Sequence, residues 1–234
     1  MIRLYVLNGW WITVNQISRD GCGHKGGIVA KNTGQTLEGE VLAAVQSAVN
    51  KGLLGWHASA CRVRHHAAYY SRDREKDIIF DVSIELMLPS SSKPSIIWIW
   101  ECKDYSSPVP VDDLEEFHAK LEQIGSANTK GTVVTRRGFQ KSAIKYAVSK
   151  GIGLARLLPP HQIQWVIHYH AEQTAEELAA EVVEALIDPH FESFSREAYG
   201  FTTGPVPAAK ASLEDFVAMQ IAEWGMNQGY LPDT

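Results

Sequence analysis

Cysteine is scarce in this sequence, and no arrangement of it suggests a disulfide framework or a zinc site. The 234 residues include three cysteines, Cys22, Cys61 and Cys102, which lie far apart and form no CxxC pair. An odd number of scattered thiols is typical of a protein that folds in a reducing compartment. We therefore expect a cytoplasmic protein, and a chain of this length can bury a stable core without disulfides or a structural metal.

The sequence also lacks a long apolar run and an excess of positive charge. The apolar residues near the start are interrupted by Asn8, Gly9 and Thr13, and no signal peptide is evident. These absences predict a soluble protein with no membrane partner. The formal net charge of -5 does not favour a nucleic-acid binder. Net charge is a weak guide, however, because an acidic protein can carry one basic face.

Two neighbouring segments show the patterns of β-strands. Residues 77–86 alternate between an apolar and a more polar face, with the even-numbered residues Ile78 to Leu86 on one side and Asp81 on the other. Residues 95–105, SIIWIWECKDY, are apolar on both faces at first, which is typical of a central strand covered on both sides. The PSSSKP sequence between them predicts a turn, so the two strands can pair as a hairpin.

The order of the predicted elements indicates the fold class and the domains. A helix at Thr36–Gly52 is followed by two or three strands and then by alternating helices and strands, which predicts an α/β sandwich around a mixed sheet. We expect residues 32–170 to form this domain, after a segment of unknown role at residues 1–31. Residues 171–234 are predicted to be an acidic helical C-terminal extension, with a linker or loop at TTGPVPAAKAS between two helices.

The end of the second strand carries the residues that indicate chemistry. Strand alternation places Glu101 and Lys103 on one face and Cys102 on the other. If the two strands form a hairpin, Asp81 can lie close to Glu101. Two adjacent carboxylates repel each other unless a cation joins them, and hard oxygen ligands favour Mg²⁺ or Mn²⁺. A lysine beside them can orient a water, so the set predicts metal-dependent phosphodiester hydrolysis.

A structural interpretation of the same residues stays open at this point. An acid and a lysine two positions apart at a strand end are usually a solvated terminus and an ion pair. Asp77 shares the predicted face of Asp81 and could take its place in a different register. Burying the charge of Asp81 within IIFDVSI costs free energy unless a partner compensates it, which favours the functional interpretation.

The chain resembles a known nuclease family. Asp81, a turn and then Glu101-Cys102-Lys103 follow a helix that bears Glu38, and this series resembles the PD-(D/E)XK nuclease superfamily. IFDVSIEL, KGTVVT and GFQKSAIKYAVSKGIGLARL look like segments of its Mrr-type restriction endonuclease family. The resemblance implies a restriction-endonuclease-like three-layer α/β/α sandwich with a mixed central sheet.

The resemblance also implies roles for the site residues. Asp81 and Glu101 would chelate Mg²⁺, or Mn²⁺, and Lys103 would position the attacking water. Glu38 would reach the metal from the first helix, with Glu40 as its competitor. The implied activity is a metal-dependent DNA endonuclease of a restriction or defence system. A nuclease-fold DNA-binding or assembly module that no longer cuts, and a structure-selective repair nuclease, are the alternatives, and a homodimer is left open.

Basic residues suggest where DNA would bind. Residues 136–150 hold five basic residues and no acid, and we expect phosphate contacts from Arg136, Arg137 and Lys141. Arg72 and Arg74 are expected to contribute from the segment before the Asp81 strand. The adjacent histidines His65 and His66, and the pair His168 and His170, show no evident third metal ligand. We therefore expect structural or surface roles for these histidines.

Overall fold

A computed structural model describes residues 3–7, 10–14, 33–125, 127–159, 162–164, 174–194, 196–202 and 206–227. The chain divides into two compact units, Met1–Lys31 and Asn32–Thr234. In the first unit, β1 (Arg3–Leu7) and β2 (Trp10–Val14) pair as an antiparallel hairpin. The glycine-rich part of this segment lies outside the described residues. None of the described helices is long and apolar enough to cross a membrane.

The second unit is built on a mixed sheet of seven strands. Its strands are β3 (Cys61–Ser71), β4 (Lys76–Leu86), β5 (Ile96–Lys103), β6 (Thr129–Thr135), β7 (Gly153–Leu157), β10 (Ala198–Phe201) and β11 (Pro207–Lys210). Their order across the sheet is β11-β10-β7-β6-β5-β4-β3. The pairs β5–β6 and β6–β7 are parallel and the others antiparallel. A separate parallel pair joins β8 (Ile163–Gln164) to β9 (Ser193–Phe194).

In the described part of the chain, five α-helices cover the two faces of this sheet. They are α1 (Thr33–Asn50), α2 (Val111–Gly125), α3 (Lys141–Lys150), α4 (Ala175–Ile187) and α5 (Leu213–Asn227). One hydrophobic core, core A, joins the sheet to α2, α3 and α4, and core B joins it to α1 and α5. The result is a three-layer α/β/α sandwich with a mixed central sheet. The predicted three-layer α/β/α sandwich with a mixed central sheet is confirmed.

Strand β5 anchors both cores, as its apolar pattern predicted. Ile97 and Ile99 lie in core A, whereas Trp98 and Trp100 lie in core B. All four side chains are buried. Large side chains packed on both faces fix the path of this strand, and they therefore fix the position of the polar residues that follow Trp100.

Strand β4 does not keep the single alternation that its sequence predicted. Ile78 and Phe80 pack in core A, whereas Val82 and Ile84 pack in core B, so the strand changes faces between Phe80 and Val82. The β3–β4 pairing is interrupted at the same place, between Ala67↔Phe80 and His65↔Val82. His66 lies in this gap with φ 51°, a left-handed conformation that non-glycine residues rarely adopt. Asp81 sits at the point where the faces change.

The C-terminal residues complete the sheet as well as the helical layers. The acidic helix α4 buries Val182, Ala185 and Leu186 in core A. The segment predicted as a linker or loop instead contains β11, which pairs with β10. Its composition suggests a loop, but proline is tolerated as the first residue of a strand at a sheet edge, where Pro207 lies.

Buried Arg156 on β7 connects α4 to the loop that follows β6. Its guanidinium donates to the carbonyl oxygens of Ala185 and Asp188 at the end of α4, and its Nε donates to the carbonyl of Arg136 at 3.1 Å. Burial lowers the pKa of Arg156 to about 10, and the charge of Asp188 opposes this shift. The group stays charged at neutral pH, and it holds the backbone of Arg136 in place.

Candidate active site

Asp81 meets the end of β5 through a hydrogen bond to its backbone. The β4–β5 ladder runs from Leu86↔Ile96 to Val82↔Trp100, and one further step in the same register brings Asp81 opposite Glu101. The N–H of Cys102 donates to Oδ2 of Asp81 at 2.7 Å. The two strands therefore pair as the hairpin that the turn sequence predicted. The Asp81 carboxylate takes the place of a ladder carbonyl.

Glu101 is a buried carboxylate held by two lysines. It is 6% exposed, and its Oε1 lies 3.3 Å from Lys103 Nζ and 3.4 Å from Lys120 Nζ. Lys103 also lies 3.9 Å from Asp113, and Lys120 lies 2.9 Å from Glu116. The predicted alternation is correct here, because Glu101 points toward α2 on the core A side.

The charges at this site shift the pKa values of Asp81 and Lys103. Burial, followed by the negative charges of Glu101 and Glu38, raises the pKa of Asp81 to about 6, against the Cys102 N–H and Lys103. Burial lowers the pKa of Lys103, but the charges of Glu101, Tyr105 and Asp113 outweigh burial and raise this pKa above its ordinary value. Lys103 is therefore an ammonium group beside carboxylates whose mutual repulsion is not fully compensated.

The two acids of α1 have different partners. Oε2 of Glu38 lies 2.9 Å from His66 Nε2 and 3.4 Å from His65 Nε2, and its charge is one cause of the raised Asp81 pKa. Oε2 of Glu40 is 2.6 Å from a guanidinium nitrogen of Arg136. Glu38 thus lies within electrostatic reach of Asp81, whereas Glu40 is engaged by an arginine.

The residues predicted to contact DNA differ in their availability. Arg136 is engaged by Glu40 and lies 4.0 Å from Asp104, which leaves its side chain 21% exposed. Arg137 and Lys141 are exposed. Thr135, the last residue of β6, pairs with Lys103 of β5. The loop that follows Thr135 and carries Arg137 therefore leaves the sheet at the same end as the site.

Two further arginines and the alternative acid lie at the β3–β4 turn or just after it. Arg72 and Arg74 are exposed in the turn. Asp77 is exposed on β4, four residues before Asp81 and thus about 13 Å away along the strand. A strand in this register cannot exchange Asp77 for Asp81.

Cys102 follows Glu101 in the chain and donates its backbone N–H to Asp81, but its thiol is not activated. Burial and the negative charges of Asp81, Glu38, Glu101 and Asp104 raise the pKa of its thiol well above the ordinary value. Its side chain packs against core B, as the alternation predicted. A thiol that stays protonated is a poor nucleophile, so Cys102 has a packing role.

Three residues at the site were not found by pattern alone. Lys120 follows the core residue Phe117 by three positions on α2, and this spacing could have indicated that it lies beside the apolar stripe. His65 and His66 gave no such signal, because alternation predicts that adjacent strand residues point to opposite faces. The other predicted histidine pair, His168 and His170, lies outside the described residues.

Comparison with known proteins connects this geometry to a family. Residues 53–157 match the family model of the Mrr-type catalytic domain, described as "Restriction endonuclease". A crystal structure of a protein of unknown function, AF1548, is similar at 18% identity with a TM-score of 0.33, over 47% of this chain and 56% of that chain. No curated protein matches the chain. The family match contains Asp81, Glu101 and Lys103, so this part of the chain is similar to the Mrr-type restriction endonuclease family.

Proposed function

We propose that this chain is a metal-dependent DNA endonuclease that hydrolyses phosphodiester bonds in a restriction or defence system. The observation that carries the proposal is that Asp81 accepts the Cys102 N–H while the Lys103 ammonium lies 3.3 Å from Glu101. These contacts lie at one end of β5, within the residues that match the restriction endonuclease family model. The rigid strand and the hydrogen bond from Cys102 orient these groups before substrate binds. Such preorganisation is the main contribution that a protein makes to phosphoryl chemistry.

The acidic residues fit a hard divalent cation. Asp81 and Glu101 offer carboxylate oxygens only, which suit Mg²⁺ or Mn²⁺. The pKa of Asp81 is raised first by burial and then by neighbouring negative charge, which such a cation would neutralise. We propose that these two residues hold the cation, with Glu38 close enough to support it or its hydration shell. The bound cation would supply Lewis-acid stabilisation of the negative charge at the phosphate.

Lys103 would act on the attacking water and on the phosphate. Its ammonium is held by Glu101 and Asp113, so it can donate hydrogen bonds in a fixed direction. We propose that it orients the water for in-line attack and stabilises the charge that develops on the phosphate oxygens. A lysine that remains protonated cannot accept the proton of that water, which therefore passes to solvent or to a substrate phosphate oxygen.

Cleavage of plasmid DNA tests the proposal. Supercoiled plasmid should become nicked or linear with Mg²⁺, and a chelator should stop the reaction. Glu101→Gln should abolish cleavage, whereas Glu122→Gln, which replaces an exposed acid on α2, should not.

The share of linear product reports whether two copies of the protein act together. Absence of cleavage on modified, unmodified and branched DNA with each divalent metal would sink the enzyme proposal and favour a binding or assembly module. Preference for branched DNA would favour a repair nuclease.

The exposed basic residues at the site are proposed to bind the DNA backbone. Arg137 and Lys141 lie at the Lys103 end of the sheet, and Arg72 and Arg74 lie in the β3–β4 turn. Alanine at both Arg137 and Lys141 should weaken binding of any DNA sequence. The slope of log affinity against log salt should fall by about 2, because each phosphate contact contributes about 1. Lys93→Ala, in the exposed loop at the opposite end of β5, is the control. An unchanged slope in the double variant would contradict the assignment.

A further inference from the structure

Two histidines that the proposed reaction does not use lie against Glu38. Oε2 of Glu38 lies 2.9 Å from Nε2 of His66 and 3.4 Å from Nε2 of His65. In the described part of the chain, Glu38, His65 and His66 form a group of three potential metal ligands. Their ligand atoms all lie within 4.8 Å of one another. Donor atoms around a tetrahedral zinc ion are about 3.3 Å apart, so small side-chain rotations would suffice to close a site.

The backbone departs from regular geometry to bring the two histidines together. Side chains of adjacent strand residues normally point to opposite faces. His66 has φ 51°, which turns its ring toward that of His65, and the two rings stack with centroids 3.8 Å apart. A left-handed conformation in a non-glycine residue is unfavourable, and outside turns such residues cluster at functional sites. Here it aims two imidazole nitrogens at one carboxylate.

The donor set selects a different class of ion from the one proposed for Asp81 and Glu101. Imidazole nitrogens suit Zn²⁺, Co²⁺ and other transition ions, whereas carboxylates alone suit Mg²⁺. The His66 and His65 side chains are 53% and 41% exposed, so an ion can enter from solvent and keep open coordination positions. We propose that Glu38, His65 and His66 form a second divalent-metal site that binds a transition ion such as Zn²⁺.

The second site would lie beside the first. The charge of Glu38 acts on both Asp81 and Cys102, so an ion held by Glu38 would reduce the negative charge that Asp81 experiences. The two sites therefore differ in ion class while they share an electrostatic environment. Transition-ion binding at the histidines requires no cleavage reaction and can be measured without DNA.

Titration of the full chain with Co²⁺, followed by its visible absorption, tests the proposal. Co²⁺ substitutes for Zn²⁺, and nitrogen ligands in an open site intensify its absorption bands. Glu38→Gln and His66→Asn should each weaken binding by about 100-fold or more, since loss of a ligand costs at least as much as loss of an outer-shell partner. Glu40→Gln and His57→Asn are matched controls that should bind as the unchanged protein does. The double variant Asp81→Asn/Glu101→Gln should keep the absorption.

A glycine variant separates loss of metal binding from loss of folding. His66→Gly removes a ligand, while glycine adopts φ 51° without strain, so the variant should fold and still fail to bind Co²⁺. Zn²⁺ should raise the unfolding temperature of the unchanged chain and leave that of His66→Gly unaltered. Equal Co²⁺ affinity in His66→Gly and the unchanged chain would overturn the proposal. Loss of the absorption only when Asp81 and Glu101 are replaced would also overturn it and assign the ion to those carboxylates.

Discussion

Replacement of Lys103 by methionine should lower the rate of DNA cleavage by about 1,000-fold, a loss of about 4 kcal/mol of transition-state stabilisation. Methionine keeps much of the length of the side chain and removes the ammonium. The buried stem of Lys103 is therefore replaced, while the hydrogen bonds proposed for the water and the phosphate are lost. The measurement is the single-turnover cleavage rate at saturating Mg²⁺, with folding checked by circular dichroism.

Two other lysines make the interpretation of this result specific. Lys93→Met changes an exposed lysine at the far end of β5 and should leave the rate unchanged. Lys120→Met removes the other ion pair of Glu101, at nearly the same distance as that of Lys103. We expect the cleavage rate of Lys120→Met to fall by about tenfold or less, because Lys120 reaches Glu101 from α2 and is also engaged by Glu116. Equal losses in the Lys103 and Lys120 variants would show that neutralising Glu101, and not positioning water, is what Lys103 does.

Replacement of Asp81 by asparagine should abolish Mg²⁺-dependent cleavage and stabilise the metal-free protein at neutral pH. The pKa of Asp81 is raised from 3.8 to about 6, chiefly by burial and by Glu101. Between these values the folded state binds more protons than the unfolded state, so the free energy of unfolding falls as pH rises through this window and stays low above it. Two pKa units correspond to at most about 3 kcal/mol. Asparagine is uncharged and still accepts the Cys102 N–H, so it avoids this cost.

The readout is the difference in unfolding free energy between Asp81→Asn and the unchanged protein from pH 4 to pH 8, with a chelator present. The difference should be near zero at pH 4, grow up to about pH 6 and remain constant above it. Mg²⁺ should reduce this difference in unfolding free energy, because it binds and stabilises the unchanged protein. Asp77→Asn, an exposed acid on the same strand, should follow the unchanged protein throughout. If Asp81→Asn is no more stable than the unchanged protein at pH 8, the charged Asp81 carboxylate does not destabilise the folded state, and the prediction is wrong.

The local pattern of the sequence was sufficient to predict much of this molecule. Alternation along β5 correctly separated Glu101 and Lys103 from Trp98 and Trp100, because the twofold period of a strand is a property of the chain itself. The turn sequence predicted the β4–β5 hairpin that brings Asp81 to Cys102. The α/β sandwich around a mixed sheet followed from the order of the elements that this periodicity indicates.

Tertiary structure alone decided the features that join distant residues. Glu38 meets His66 across 28 positions and Glu40 meets Arg136 across 96, so no local period could predict which acid lies beside Asp81. The change of faces in β4 lies opposite the left-handed backbone of His66 in the neighbouring strand. The sequence thus determined which strand carries Glu101 and Lys103. Packing between strands and helices determined which side chains meet there, because those contacts form only when the whole sheet is assembled.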